Sequence, residues 1–493
     1  MPTFPGQLLA RGRAIPAYFD FFCGGGLVRT ALGASWACPF AVDSNFRKAN
    51  AYQLAFGPGG GFVRRDVRAL TLADLPAGTS DLWWASSPCQ DLSVAGPRVG
   101  VGGPRSGALW PVMSLLHRAA ADGRAPPLLV LENVAGTLTG RGGQDFVSLC
   151  TALASAGYRV GGVVVDAVRF LPISRVRLFL VAVRAGHTVP AGLLSDGPEA
   201  PWHPPILRAA VAKLPPLAAR RWIWWRLPEP PPMDVRLTDI LDRDPPAEAW
   251  LSERRTADWL GALAPRDATR LDQALSSDGR TLATANRRTR GLRGGGRAQL
   301  EPRWDGIAHC MVLPRGGGPS RQLVIDVHGG RARLRQLTRD ELARLAGIPD
   351  GHSLPTNPIT VGHLVGEGIA VPAVAWLARH LLDPLAGLPR PADASVGEAD
   401  GGRPPRAREP RRASAGAAVQ ATTLYLLPEE RRRLGSLAAA LGVSLHELAM
   451  KAMDGLLAEH GQPPLIRRGS VRAGDPPRPP DPDGGVASGT PAS

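Results

Sequence analysis

The stretch AYFDFFCGGGLVRTALG, residues 17–33, decides the fold. An apolar run stops on three glycines, Gly24, Gly25 and Gly26, and a helical segment follows. Glycines directly after a strand let backbone N–H groups approach an anionic or zwitterionic ligand without a Cβ in the way. Alone the turn does not discriminate, because glycine turns between strand and helix are common. Working outward to about residue 184, further apolar runs recur as FAVD, DLWWAS, PLLVLENV, YRVGGVVVDAV and LFLVAV, separated by amphipathic stretches. That is the sequence form of a parallel α/β sheet covered on both faces. Such sheets bind ligands at the carboxyl ends of their strands. Asp20, Cys23 and Gly24, then Asp43, then Pro88 and Cys89, then Glu132 and Asn133 all fall at such ends.

Residues 14–184 read as a first, α/β domain with a ligand site at its strand ends. From 185 to 330 the rhythm gives way to Pro, Trp and Arg, as in PWHPPIL, RRWIWWRLPEPPP and RRTRGLRGGGR, predicting a second, irregular domain. Helical periodicity returns in LRQLTRDELARLAGIPDG and VGEGIAVPAVAWLARHLL, so 331–387 should complete the first domain. Residues 388–415, dominated by Pro, Gly, Arg and Ala, read as a flexible linker. In 416–462 a strand precedes two short helices: Pro428 suits a first helical position, Gly442 a stop, and Ser444 with Glu447 a capping box. Residues 463–493 read as a disordered tail.

A chain of 493 residues calls for two or three folded units, and its 44% hydrophobic content argues against disorder as the main state. The net charge of +15 suits a polyanionic partner. Lysine, however, occurs only at Lys48, Lys213 and Lys451, and an arginine and alanine bias is equally what a GC-rich genome produces. Cys23, Cys38, Cys89, Cys150 and Cys310 form neither a CxxC pair nor a dense framework, which argues against structural zinc, any other metal site and a disulfide scaffold. No stretch nears the roughly 20 apolar residues of a membrane span, predicting a cytoplasmic protein with no membrane partner.

Each chemical motif has an ordinary reading by itself. Asp43 is the acceptor a ribose diol needs, or a helix N-cap. Cys89, in SSPCQDLSVAG, is a nucleophile or a small buried hydrophobe. Glu132 in LENV is a catalytic carboxylate or a solvated cap, and SRVRLF points Arg175 and Arg177 to one face of a strand, functional or merely exposed.

The order glycine loop, strand-end acid, PCQ, ENV and RxR resembles that of DNA (cytosine-5) methyltransferases over roughly residues 17–184 and 334–384. GPRSGALW (103–110), LRQLTRDELARLAGIP (334–349) and GEGIAVPAVAWL (366–377) resemble further family segments, and the irregular middle sits where the family has its target-recognition domain. The resemblance implies an S-adenosylmethionine-dependent, Rossmann-like α/β sheet with a target-recognition domain at 185–330. It also implies residue roles. Cys89 would attack carbon 6 of cytosine, Glu132 would bond ring nitrogen 3, and Arg177 with Arg175 beside it would support the base carbonyl and backbone. Phe22 would pack on adenine, the backbone at Gly24 and Gly26 would take the methionine end, Asp43 the ribose and Asp66 the adenine amino group. Asp20, Pro88 and Leu109 would complete the cofactor shell.

Leu27, Ile173 and Glu367 depart from the family pattern, which has Gly, Gln and Asn there. The 416–462 unit resembles a ribbon-helix-helix module. Its strand points Thr422, Leu424 and Leu426 toward where bases would lie, so DNA binding and plain homodimerisation both stand open. The resulting expectation is a bacterial, nucleoid-associated enzyme making 5-methylcytosine in double-stranded DNA with base flipping, with a cognate restriction endonuclease as a further partner. An RNA cytosine-5 methyltransferase and a catalytically silent DNA-binding regulator are the competing readings.

Overall fold

The structure is a computed structural model that describes residues 15–88, 107, 109–290, 297–311, 321–388 and scattered positions between 434 and 454. Cys89, most of GPRSGALW, the 388–415 linker beyond Leu388, the 416–462 unit and the 463–493 tail therefore lie outside the described residues, apart from those positions. The chain divides into two compact units, Met1–Gly397 and Glu398–Ser493.

The centre of the first unit is a seven-stranded sheet of β1 (Ala17–Phe21), β2 (Ala37–Asp43), β3 (Phe62–Arg64), β4 (Leu82–Ser86), β5 (Leu128–Val134), β6 (Tyr158–Asp166) and β7 (Val176–Arg184). The order is β3-β2-β1-β4-β5-β7-β6. Side chains alternate into two cores, Tyr18, Trp84, Val130 and Phe179 on one face and Phe19, Phe21, Trp83, Leu129 and Leu180 on the other. Strands buried on both faces must be apolar throughout, which is why they read as continuous runs. Helices α1 (Leu27–Leu32), α2 (Phe46–Phe56), α3 (Leu109–Ala121) and α4 (Gln144–Ser155) cover the sheet.

The sheet is mixed, correcting the parallel sheet expected from the apolar runs. β1 to β5 pair in parallel, but β7 runs antiparallel to both β5 and β6. Only residues 167–175 connect β6 to β7, and a parallel return needs a crossover of about a dozen residues or more. The reversal brings the start of β7 to the carboxyl end of β5, with Val134 opposite Arg177.

After β7 the chain adds β8 (Leu194–Ser195), α5 (Pro205–Val211), α6 (Pro216–Arg220) and β9 (Trp224–Trp225) against the β6 edge, where Trp202 and Trp225 are buried in the first core. After α7 (Leu237–Ile240) come α8 (Glu253–Leu260) and α9 (Pro265–Leu275), then a second, antiparallel sheet. It comprises β10 (Thr281–Arg290), β11 (Arg297–Arg303), β12 (Gln322–His328) and β13 (Arg331–Gln336) in the order β11-β10-β12-β13. Its separate core is built from Leu271, Ala283, Ala285, Leu300, Ile325 and Leu334 among others. The second sheet thus extends to Gln336, and the segment after it, with α10 (Arg339–Leu345), α11 (Pro358–Glu367) and α12 (Val371–Leu377), returns to the first core.

At that return Arg335 and Glu341, both fully buried, form a bidentate pair with two 2.7 Å contacts. Glu341 also closes a capping box with Thr338. The helical run Pro358–Leu385 is long and apolar enough to cross a membrane, contrary to the expectation from sequence that no stretch is, but 67% of its most apolar window is buried inside the protein.

Candidate active site

The loop after β1 holds three left-handed residues, Phe22 (φ 61°), Gly24 (φ 58°) and Gly26 (φ 83°). For a bulky residue such as Phe22 this costs on the order of 1–3 kcal/mol, and such strain gathers at ligand clamps. Gly26 cannot be replaced easily, since a Cβ there would stand 2.3 Å from Phe56 and 2.9 Å from Tyr52. The Gly24 N–H donates to Asp43 Oδ2 (3.1 Å) and the Asn45 N–H to Asp43 Oδ1 (2.8 Å). Asp43 thus ties the end of β2 to the loop, while the Asn45 side chain caps α2 by accepting from Arg47 and Lys48 N–H.

This loop forms one wall of a cleft of about 450 Å³ at the carboxyl ends of β1, β2, β4 and β5. Of the residues singled out in the sequence, Phe22, Gly24, Asp43, Asp66, Pro88, Glu132 and Arg177 all line it. Asp66 is half-exposed and caps a turn through the Arg68 N–H (2.9 Å).

Glu132 is 5% exposed, and its Oε1 lies 3.1 Å from Arg177 Nε. Burial pushes its carboxyl above the ordinary range, against the pull of Arg177, Arg175 and the Ser86 hydroxyl. The next residue, Asn133, donates through Nδ2 to Ser87 Oγ (2.8 Å), locking the end of β5 to the residues preceding Pro88.

Arg175 goes elsewhere. It is 4% exposed, and its guanidinium donates to the carbonyls of Gly366 (3.2 Å) and Gly368, while its N–H meets Asp166 Oδ1 (2.9 Å). It grips the backbone on both sides of Glu367 and is not on the wall of the main cleft. Three other predicted residues also stand behind the wall. Gly26 meets aromatic rings, Leu109 is buried at the start of α3, and Asp20 is fully buried, its carboxyl raised well above the usual range by burial and by nearby Asp43 against the pull of Arg29. Neither Asp20 oxygen has a hydrogen-bond partner among the described residues.

Lys48 was not among the residues the motifs singled out. Its Nζ lies 2.8 Å from Glu367 Oε2 and 3.8 Å from Asp43 Oδ2, on the cleft wall. Burial alone would lower the ammonium's pKa, yet Asp43 and Glu367 hold it above its ordinary value. The signal was faint, because a lysine on a helix gains meaning only from the distant acid it meets.

Residues 17–220 match the family model described as C-5 cytosine-specific DNA methylase. Type II methyltransferase M.BsuFI of Bacillus subtilis is 30% identical over 168 residues, which span 33% of this chain and 38% of that protein. Type II methyltransferase M.HpaII of Haemophilus parainfluenzae is 24% identical over 391 residues, 75% of this chain and 90% of that one. Among solved structures, the Dnmt2 methyltransferase of S. pombe shares 18% identity at a TM-score of 0.47, covering 75% of this chain and 99% of its own.

Proposed function

We propose that this chain, whose residues 17–220 are a C-5 cytosine-specific DNA methylase domain of the α/β, S-adenosylmethionine-dependent type, methylates carbon 5 of a cytosine within a specific sequence of double-stranded DNA. The observation that carries this reading is the buried Glu132–Arg177 pair at 3.1 Å, on the wall of the same cleft as the glycine loop and Pro88, the residue before Cys89.

The residues present fit the cofactor. A cleft of about 450 Å³ is within the usual range of ligand pockets, roughly 300–1,000 Å³. Gly24, its N–H already given to Asp43, puts no Cβ between the loop and the cleft, and each Asp43 oxygen keeps a lone pair for a ribose hydroxyl beside the backbone N–H it already accepts. Phe22 is assigned to the adenine ring, Asp66 to its amino group, and the backbone near Gly24 to the amino-acid end. Asp20, Gly26 and Leu109 support that wall from behind. When bound, S-adenosylmethionine supplies an electrophilic methyl group.

Carbon 5 of cytosine is too weak a nucleophile to take that methyl group unaided. The Cys89 thiolate attacks carbon 6, forming an S–C bond and giving carbon 5 enamine character. Glu132, kept protonatable by burial, holds a proton at ring nitrogen 3 and offsets the charge that develops on the ring. Arg177 orients Glu132 and supports the base carbonyl; Arg175 acts as a positioning residue. Loss of the carbon 5 proton to a base afterwards returns the electron pair that expels Cys89. Carbon 6 is out of reach in a stacked duplex, so the base is flipped into the cleft.

The part of the second sheet within 185–330, strands β10 to β12, is assigned to target recognition. Its Arg287 is flanked by Arg255 and Arg321; burial and then these neighbours lower its pKa, a crowding of positive charge suited to phosphates. Residues 416–462 are assigned as an appended ribbon-helix-helix module joining two copies of the chain, and a cognate restriction endonuclease as the partner activity in the bacterial cytoplasm.

Bisulfite sequencing of DNA from a methylation-free host expressing the chain should reveal methylated cytosine in one sequence context. Cys89→Ser should erase it while leaving S-adenosylhomocysteine binding intact. Methyl incorporation into RNA alone, or normal incorporation by Cys89→Ser, would overturn the reading.

A further inference from the structure

The chemistry above leaves Lys48 and Glu367 unused, although both line the cleft. Two contacts place Lys48 and the helix that ends at Glu367 against the glycine loop. Lys48 Cδ lies 4.0 Å from where a Cβ at Gly24 would stand, and a Cβ at Gly25 would meet Leu364 of α11 at 2.8 Å. The pair is also held from both sides. Lys48 sits in the capped first turn of α2, and the carbonyls flanking Glu367 both accept from the Arg175 guanidinium.

We propose that Lys48 and Glu367 together read the zwitterionic amino-acid end of the cofactor, Lys48 pairing with the α-carboxylate and Glu367 with the α-ammonium. This rests on the cofactor reading given above. An α-amino acid presents opposite charges one carbon apart, and the protein presents opposite charges 2.8 Å apart. The two dipoles close head to tail into a ring of alternating charge, in which every group gains a second opposite neighbour without losing its first.

Before a ligand enters, the pair neutralises itself, so neither Lys48 nor Glu367 stands as a bare charge. Asp43 at 3.8 Å keeps Lys48 cationic. The arrangement is also selective. A lone lysine over a glycine loop would attract any nucleotide phosphate, and Glu367 repels those anions while welcoming a zwitterion. Glu367 departs from the family's usual Asn, and Lys48 is what makes the added charge useful.

Calorimetric titration of wild type, Lys48→Met and Glu367→Gln with S-adenosylhomocysteine and with 5′-methylthioadenosine tests this, because the second ligand keeps the adenosine and sulfur but lacks the amino acid. Each variant should weaken S-adenosylhomocysteine about tenfold or more, roughly 1.4 kcal/mol, and change 5′-methylthioadenosine by less than about twofold. Equal losses for both ligands would mean that the pair only straps α2 to α11, and unchanged S-adenosylhomocysteine binding would equally overturn the proposal. Wild-type protein that binds neither ligand would overturn the cofactor reading, and this inference with it. The two variants alter the pair from opposite sides, so misfolding of one leaves the other to decide.

Discussion

Replacing Arg177 with Met should destabilise the protein by an amount that depends on pH. The Nε–Oε1 separation is 3.1 Å, and at an effective dielectric constant of about 20 that corresponds to roughly 5 kcal/mol of gross attraction. Part returns when the guanidinium is no longer desolvated. With side-chain exposures of only 14% and 7%, the pair lies near the buried limit, where removing one partner costs about 3–5 kcal/mol. Ser86 and Arg175 still act on Glu132, so about 2–4 kcal/mol is expected near pH 8. Burial already raises the Glu132 carboxyl, and losing its nearest cation raises it further. A carboxylic acid raised in the folded state contributes stability that is complete below its unfolded pKa, about 4.3, and is lost as pH climbs through the folded value. The variant's deficit should therefore be small near pH 4 and grow toward pH 8. Urea unfolding followed by tryptophan fluorescence, for wild type, Arg177→Met, Glu132→Gln and the double variant, isolates the pair. A coupling of about 2 kcal/mol or more near pH 8, falling below about 1 near pH 4, is expected. Equal couplings at the two pH values, or none at either, would rule out a buried Glu132–Arg177 pair whose strength depends on ionisation of Glu132.

Gly26→Ala should cost more than about 2 kcal/mol, because it forces a Cβ into Phe56 at a positive φ; thermal unfolding with and without S-adenosylhomocysteine should show both a lower Tm and a smaller ligand-induced rise. Arg287→Gln should weaken binding across all duplex sequences and reduce the slope of log affinity against log salt by about one, measured by fluorescence anisotropy in a potassium chloride series. A truncation ending at Pro389 should keep methyl-transfer activity, since every assigned catalytic and cofactor residue precedes it, yet be less oligomeric than the full chain by light scattering at micromolar concentration. An inactive but folded truncation would contradict the appended-module assignment.

The legibility of each feature in the sequence depends on the kind of signal it leaves there. Strands buried on both faces announce themselves as apolar runs, and their ends mark the site, which is why Asp43, Pro88 and Glu132 could be picked out. β3 could not, because Phe62–Arg64 is three residues long with two of them exposed. An apolar run also carries no direction, so β7 read as one more parallel strand, although the shortness of 167–175 was visible. Trp202 and Trp225 looked like residues of an irregular second domain and are buried beside β6, because proline- and arginine-rich flanks disguise an edge that has no strand period. Arg175 and Arg177 share a face by alternation, yet one meets backbone carbonyls and the other Glu132. That division depends on Gly366 and Gly368, which no local pattern connects to β7.

The three departures from the family pattern have a common location. Leu27 packs where Gly368 lacks a side chain, since a Cβ at Gly368 would stand 2.5 Å from Leu27 Cδ1. Ile173 is 1% exposed, and its neighbours bind a later segment, with Ser174 N–H donating to Ala308 O (2.9 Å) and Ala308 N–H to Pro172 O (2.7 Å). An amide buried at Ile173 would need partners of its own or cost about 1–3 kcal/mol. Glu367 meets Lys48. Each departure therefore lies where residues 308 or 364–368 close on the first sheet, and two of them, Leu27 and Glu367, are matched by the residues they meet, Gly368 and Lys48. Substitutions scattered by a decaying active site would have no reason to be paired in this way. Restoring only one partner, as in Leu27→Gly, would instead leave a void against Gly368, with a cost on the order of 2–5 kcal/mol for a buried leucine truncated. A leucine at residue 27 and a side chain at residue 368 are thus alternatives for filling one space.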